Sequence, residues 1–105
     1  KTSFSHLHEF QLINCRELKV LNGVYSIPVV RIAGCEQLHD ISCLGGNKII
    51  KLKSCDAIED FSSLRGIPEV QIKSCLKLKD ATPLSDSKTV SLEACLNLKD
   101  VSMLG

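Results

Sequence analysis

The chain has no tryptophan, one tyrosine and three phenylalanines, 4% aromatic in all, so the rigid anchors that dominate tight interfaces are scarce from the outset. A surplus of one charge is lacking as well, because 13 Lys and Arg stand against 12 Asp and Glu for a formal +1. With neither a basic excess nor interleaved aromatics, there is no reason to expect nucleic acid or an anionic membrane as a partner. No apolar run approaches the roughly 20 residues that a transmembrane helix needs, and no signal peptide is read. Catalytic strings such as GxSxG, a phosphate loop or HExxH are missing too. The expectation is a chain that is no enzyme and has no cofactor.

What is present is a period. Cys15, Cys35, Cys55, Cys75 and Cys95 are spaced twenty residues apart without a slip, the mark of a solenoid whose units bury their apolar faces by stacking on one another. With the register set at Phe10, the first column holds Phe10, Val30, Ile50, Val70 and Val90, and the third Leu12, Ile32, Leu52, Ile72 and Leu92. The ninth holds Leu18, Leu38, Ile58, Leu78 and Leu98, and the fifteenth Val24, Leu44, Leu64, Leu84 and Leu104. Asp fills the eleventh column in four of five repeats, and Ser or Thr follows two residues later in all but one. The repeats are 10–29, 30–49, 50–69, 70–89 and a truncated 90–105, preceded by a partial coil over 1–9.

Each repeat opens apolar, polar, apolar, the period-two signature of a strand with one buried face. The rest of the twenty residues must bring the chain back to a parallel strand, which is too short a path for an ordinary helix and its two turns. Short 3₁₀ or extended segments are expected there.

The string VxIxxCxxLxD, carried by Val70, Ile72, Cys75, Leu78 and Asp80, resembles the cysteine-containing form of the leucine-rich repeat, in which Cys stands at the strand exit. The run Asp40-Ile41-Ser42-Cys43-Leu44 is similar to the return segment of short bacterial surface repeats of the internalin kind. The resemblance covers essentially the whole chain. It implies an α/β-type repeat solenoid: a right-handed coil with one parallel β-sheet on the concave side, short 3₁₀ or extended segments on the convex side, and partner proteins held on the sheet. Lys1 falls in mid-repeat, with Thr2, Phe4 and Leu7 matching the thirteenth, fifteenth and eighteenth columns, and Gly105 also falls in mid-coil. No capping unit is visible, which predicts a portion of a longer array.

Three readings compete for the cysteines. Adjacent parallel strands lie about 4.8 Å apart, but in-register Cβ atoms keep that separation, longer than the roughly 3.8 Å a disulfide prefers. Thiols strung along a ladder also do not converge on one tetrahedral zinc ion. Buried free thiols, each donating weakly to a carbonyl left unpaired at the strand end, fit better. They point to a reducing, cytoplasmic setting. Cys43 lies off the ladder in a column with Gly23, Ser63, Pro83 and Met103, and reads as a spacer.

Asp40, Asp60, Asp80 and Asp100 invite a calcium or acid–base reading. Like charges about 5 Å apart repel by roughly 1 to 3 kcal/mol per pair, so the column needs compensation. Ser42, Ser62, Thr82 and Ser102 indicate turns in which short polar side chains accept backbone N–H groups. The structural reading is preferred, and stoichiometric calcium uptake in equilibrium dialysis would reverse it. His6 and His8 form an HxH pair and His39 stands alone. No third ligand accompanies them, and no metal is expected.

The outward positions are the twentieth, second and fourth columns. They bring Arg31, Lys51, Lys53 and Lys73 together with Gln71, edged by Val29 and Ile49, as the candidate protein-binding face. The competing readings are a solvated face whose lysines blunt aggregation, and an architectural spacer that self-associates end to end through uncapped ends. A second period lies inside the first: Ser26-Ile27-Pro28 recurs as Gly66-Ile67-Pro68, and Gly46-Asn47-Lys48 matches Asp86-Ser87-Lys88. This suggests duplication of a forty-residue pair. The turns at the polar Asn47 and Ser87 should be looser than those at Ile27 and Ile67.

Overall fold

The computed structural model describes residues 8–79 and 81–95. Five strands, β1 (Glu9–Ile13), β2 (Val29–Ala33), β3 (Ile49–Lys53), β4 (Glu69–Lys73) and β5 (Thr89–Glu93), form one parallel sheet in chain order. The register is uniform: each residue pairs with the one twenty positions on, from Glu9 with Val29 to Lys73 with Glu93. The architecture is therefore a parallel β-solenoid with very little helix, a 3₁₀ turn at Ser62–Leu64 and another at Thr82–Leu84.

Alternation builds the sheet. Val30, Ile32, Ile50, Leu52, Val70 and Ile72 are buried, while their neighbours along each strand face outward. β-Branched residues suit this half-buried pleat. On the return path the inward period lengthens to three: Cys55, Ile58, Phe61, Leu64 and Ile67 are all 0–3% exposed. Backbone bonds of the i to i−3 type close several of these steps, as from Leu38 N–H to Cys35 O (3.3 Å), Leu64 N–H to Phe61 O (3.0 Å) and Ile67 N–H to Leu64 O (3.1 Å). Three residues per turn is the 3₁₀ repeat, and it lets a short segment keep one side chain in three on the core. The first and second coils also touch through a bridge from Val20 to Asp40.

Leaving the strand requires a sharp bend. The fifth column supplies it in the left-handed conformation: Asn14, Gly34, Ser54, Ser74 and Ala94 have φ between 54° and 67°. Four of them are not glycine, and each such residue costs about 1 kcal/mol. The bend turns the following cysteine inward while its own amide stays on the ladder, as from Gly34 N–H to Lys53 O (2.9 Å) and Ser74 N–H to Glu93 O (2.8 Å). At residue 34 a Cβ would meet the Asn14 side-chain oxygen, so glycine there leaves room for that side chain as it stands.

The forty-residue alternation has a direct cause at the nineteenth column. Pro28 and Pro68 lack an N–H, and their carbonyls instead accept two amides from the next coil: Lys48 and Ile49 on Pro28 (2.9 Å each), Lys88 and Thr89 on Pro68 (2.8 and 3.0 Å). Lys48 O receives Glu69 N–H (3.1 Å).

Candidate functional site

The outer face of the sheet holds the sequence-predicted cluster. Arg31, Lys53 and Lys73 are exposed, and Lys51 and Gln71 are half-buried. Parallel pairing sets Arg31 beside Lys51 and Lys53 beside Lys73 on adjacent strands. Together with their neighbours they line a shallow open hollow of about 300 Å³.

The four cations are not equivalent. Arg31 Nε pairs with Glu9 Oε2 at 3.0 Å, and the same carboxylate oxygen accepts Gln11 Nε2–H at 2.6 Å. Lys73 Nζ lies 3.9 Å from Glu93 Oε1, while Gln71 Nε2–H donates to Glu69 Oε2 at 2.9 Å. Among the described residues Lys51 and Lys53 have no ion pair. The basic patch of the sequence thus narrows to two lysines on the middle strand, flanked by cations already compensated. Ile13, 59% exposed, and Ala33 continue the row of Lys53 and Lys73 as an apolar shelf. The sequence offered no signal for the ion pairs, because Glu9 and Glu93 stand in different columns and their reach depends on side-chain conformation.

All six cysteines are free thiols. Cys35, Cys55 and Cys75 are fully buried, and Cys15 and Cys95 are half-buried at the edge strands. Their sulfurs donate weakly to the carbonyl two residues back, as from Cys35 to Ala33 O (3.6 Å) and Cys55 to Lys53 O (3.4 Å). Those carbonyls are not unpaired, contrary to the expectation, because each already accepts the amide of the preceding coil, Asn14 N–H on Ala33 O (2.7 Å) and Gly34 N–H on Lys53 O (2.9 Å). The thiol takes a second lone pair. Burial pushes the Cys35 thiol up. A side-chain hydrogen bond with Cys55, and then burial, push Cys75 up. The same bond lowers its partner Cys55; Cys35 and Cys75, held as thiols, are poor nucleophiles and poor metal ligands.

Asp40 Oδ1 accepts both the amide and the hydroxyl of Ser42 (2.9 and 2.7 Å), and Asp60 Oδ1 accepts the amide of Ser62 (2.9 Å). Hydrogen bonds from these serines, hydroxyl ahead of amide, hold both carboxyls below the usual carboxylate range, and the like charge of Asp40 is the weakest influence on Asp60. Among the described residues no three His, Cys, Asp or Glu side chains gather as metal ligands. His8 and His39 are exposed. Asp80, Asp100 and His6 lie outside the described residues. Cys43 is half-buried against the core, and burial raises its thiol.

The turn at Asn47 is not loose. Asn47 is 3% exposed; its Nδ2 donates to Val24 O (3.0 Å) and Ile27 O (2.6 Å), and its Oδ1 accepts Gly45 N–H (2.8 Å). The amide is long enough to bracket the preceding coil, which composition alone did not reveal. At Ser87 the hydroxyl oxygen is buried without a partner among the described residues. No family model, curated protein or solved structure matches the chain.

Proposed function

We propose that this chain is a non-catalytic protein-interaction solenoid of the leucine-rich-repeat kind, docking a partner protein on the outer face of its sheet. The single observation that carries the reading is the pair Lys51 and Lys53. They occupy the middle of an open hollow with no counter-ion among the described residues, while the neighbouring Arg31 and Lys73 are paired. Carboxylates of a partner can settle on these two charges without displacing an internal ion pair. The scarcity of aromatics implies an association governed by charge, and hence a salt-sensitive one. Six unpaired thiols support a reducing location.

The test reverses Lys51 and Lys53 to Glu and leaves Arg31 and Lys73 alone, so that the bonds to Glu9 and Glu93 survive. Circular dichroism is expected to match the wild type, and partners cross-linked to the wild-type chain in extract are expected to be lost. A folded variant that retains every partner would overturn the reading.

A further inference from the structure

The chemistry of the sheet face goes one step beyond a generic partner. We infer that it accepts an extended acidic protein segment laid across the strands, with an apolar side chain two positions from a carboxylate. The inference rests on the docking reading above. Seven charged side chains face outward on the five strands, Arg31, Lys51, Lys53 and Lys73 against Glu9, Glu69 and Glu93, and 4 − 3 leaves +1. That excess is not spread evenly. Glu9 is paired with Arg31 and Glu93 with Lys73, while Glu69 is bonded only to the neutral Gln71, so Lys51 and Lys53 carry two charges of which Glu69 offsets one, and the positive end of the face lies at these two lysines.

The fourth column is ordered along its length. Ile13 and Ala33 are apolar, Lys53 and Lys73 are cationic, and the four belong to consecutive paired strands. Strands lie about 4.8 Å apart. The midpoint of Ile13 and Ala33 is therefore about 1.5 spacings, or ~7 Å, from Lys53. In an extended peptide, side chains on one face recur every two residues, also at ~7 Å. An apolar residue seated on the Ile13–Ala33 shelf thus brings the carboxylate two positions along over Lys53. Lys51, two residues back on β3, stands ~7 Å to the side within reach of a second acid. A helix would present its neighbours at about 5–6 Å, which fits this row less well.

The probe is a fluorescently labelled peptide with Leu and Glu on one face at two-residue spacing, titrated against the full chain by anisotropy, alongside a Gln-for-Glu and a Lys-for-Leu version. The Glu peptide is expected to bind, with affinity falling about tenfold between low and moderate salt. K51E/K53E should abolish binding, Ile13→Asp should weaken it about fivefold, and both altered peptides should bind at least tenfold less tightly. Equal binding of the Gln peptide, no binding of the Glu peptide, or displacement of it by double-stranded DNA at matched charge overturns the inference. If the Glu peptide fails while K51E/K53E still loses cross-linked partners, this inference falls and the docking reading stands. If K51E/K53E keeps those partners, both fall.

Discussion

The turns that lead into β3 and β5 share their backbone bonds to the preceding proline and treat their polar side chain oppositely. Lys48 and Ile49 donate to Pro28 O just as Lys88 and Thr89 donate to Pro68 O. Yet Asn47 makes three hydrogen bonds while the Ser87 hydroxyl makes none among the described residues. Both positions occupy the column filled elsewhere by the buried Ile27 and Ile67. The difference is one of reach and of the turn itself, since Gly45 N–H is left for the Asn47 side chain whereas Ser85 N–H is bonded to Thr82 O. A carboxamide extends far enough to meet the carbonyls of the coil before it, and a hydroxyl on Cβ does not. Polarity in a solenoid core is therefore stabilising or destabilising according to side-chain length and to the turn that carries it, left-handed at Gly46 before Asn47 and right-handed at Ser85 before Ser87.

The largest effect should come from breaking the bracket. Asn47→Ala leaves Ile27 O and Gly45 N–H without their partner, and losses of about 1–3 kcal/mol per buried group predict destabilisation of ~2–4 kcal/mol, read from the urea midpoint. Next, amide exchange should be about tenfold slower at Lys48 than at Lys88 despite their like bonds, a difference worth ~1.4 kcal/mol. Asn47→Ala should erase it, and equal rates in the wild type would sink the comparison. Ser87→Asn should stabilise by ~1 kcal/mol through Leu64 O and Ile67 O, a gain below that of Asn47 because Ser85 N–H is already taken by Thr82 O (3.1 Å). Ser87→Ala should lie within ~0.5 kcal/mol of the wild type, as it removes a hydroxyl that has no partner among the described residues.

A pH series separates the bracket from the thiol ladder. The Cys35 and Cys75 thiols are raised in the fold, so above about pH 8.5 the unfolded chain releases protons that the folded chain keeps. Stability contributed by these two thiols is full below that pH and declines as pH rises, while Cys55, lowered by its bond with Cys75, contributes in the opposite sense. The loss caused by Asn47→Ala should be the same at pH 7 and pH 9.5, whereas Cys35→Ser should flatten the alkaline decline measured by thermal melting.

Much of the fold was legible because one interval repeats. The strand register, the inward first, third, sixth, ninth and fifteenth columns, and the outward rows all follow from identity at fixed spacing. The twelfth column was not read as core, because Leu21, Ile41, Phe61 and Ala81 differ so widely in size that no shared residue marks it. The left-handed fifth column was equally silent, its Asn, Gly, Ser and Ala having only smallness in common. At the candidate face, which residues lie together could be read from the alternation. Which of them keep a free charge could not, because that depends on where Glu9 and Glu93 place their carboxylates. The expected looseness at Asn47 was mistaken for the same reason, since polarity was weighed there without geometry.

Because proline carbonyls at 28 and 68 each receive two amides from the coil that follows, the natural module of this array is the doublet. Excising one coil would seat a proline-bearing turn directly on its twin and discard the asparagine that belongs between them. Excising two would leave every surviving interface chemically familiar. The molecule can grow or shrink in steps of forty residues with less disturbance than in steps of twenty.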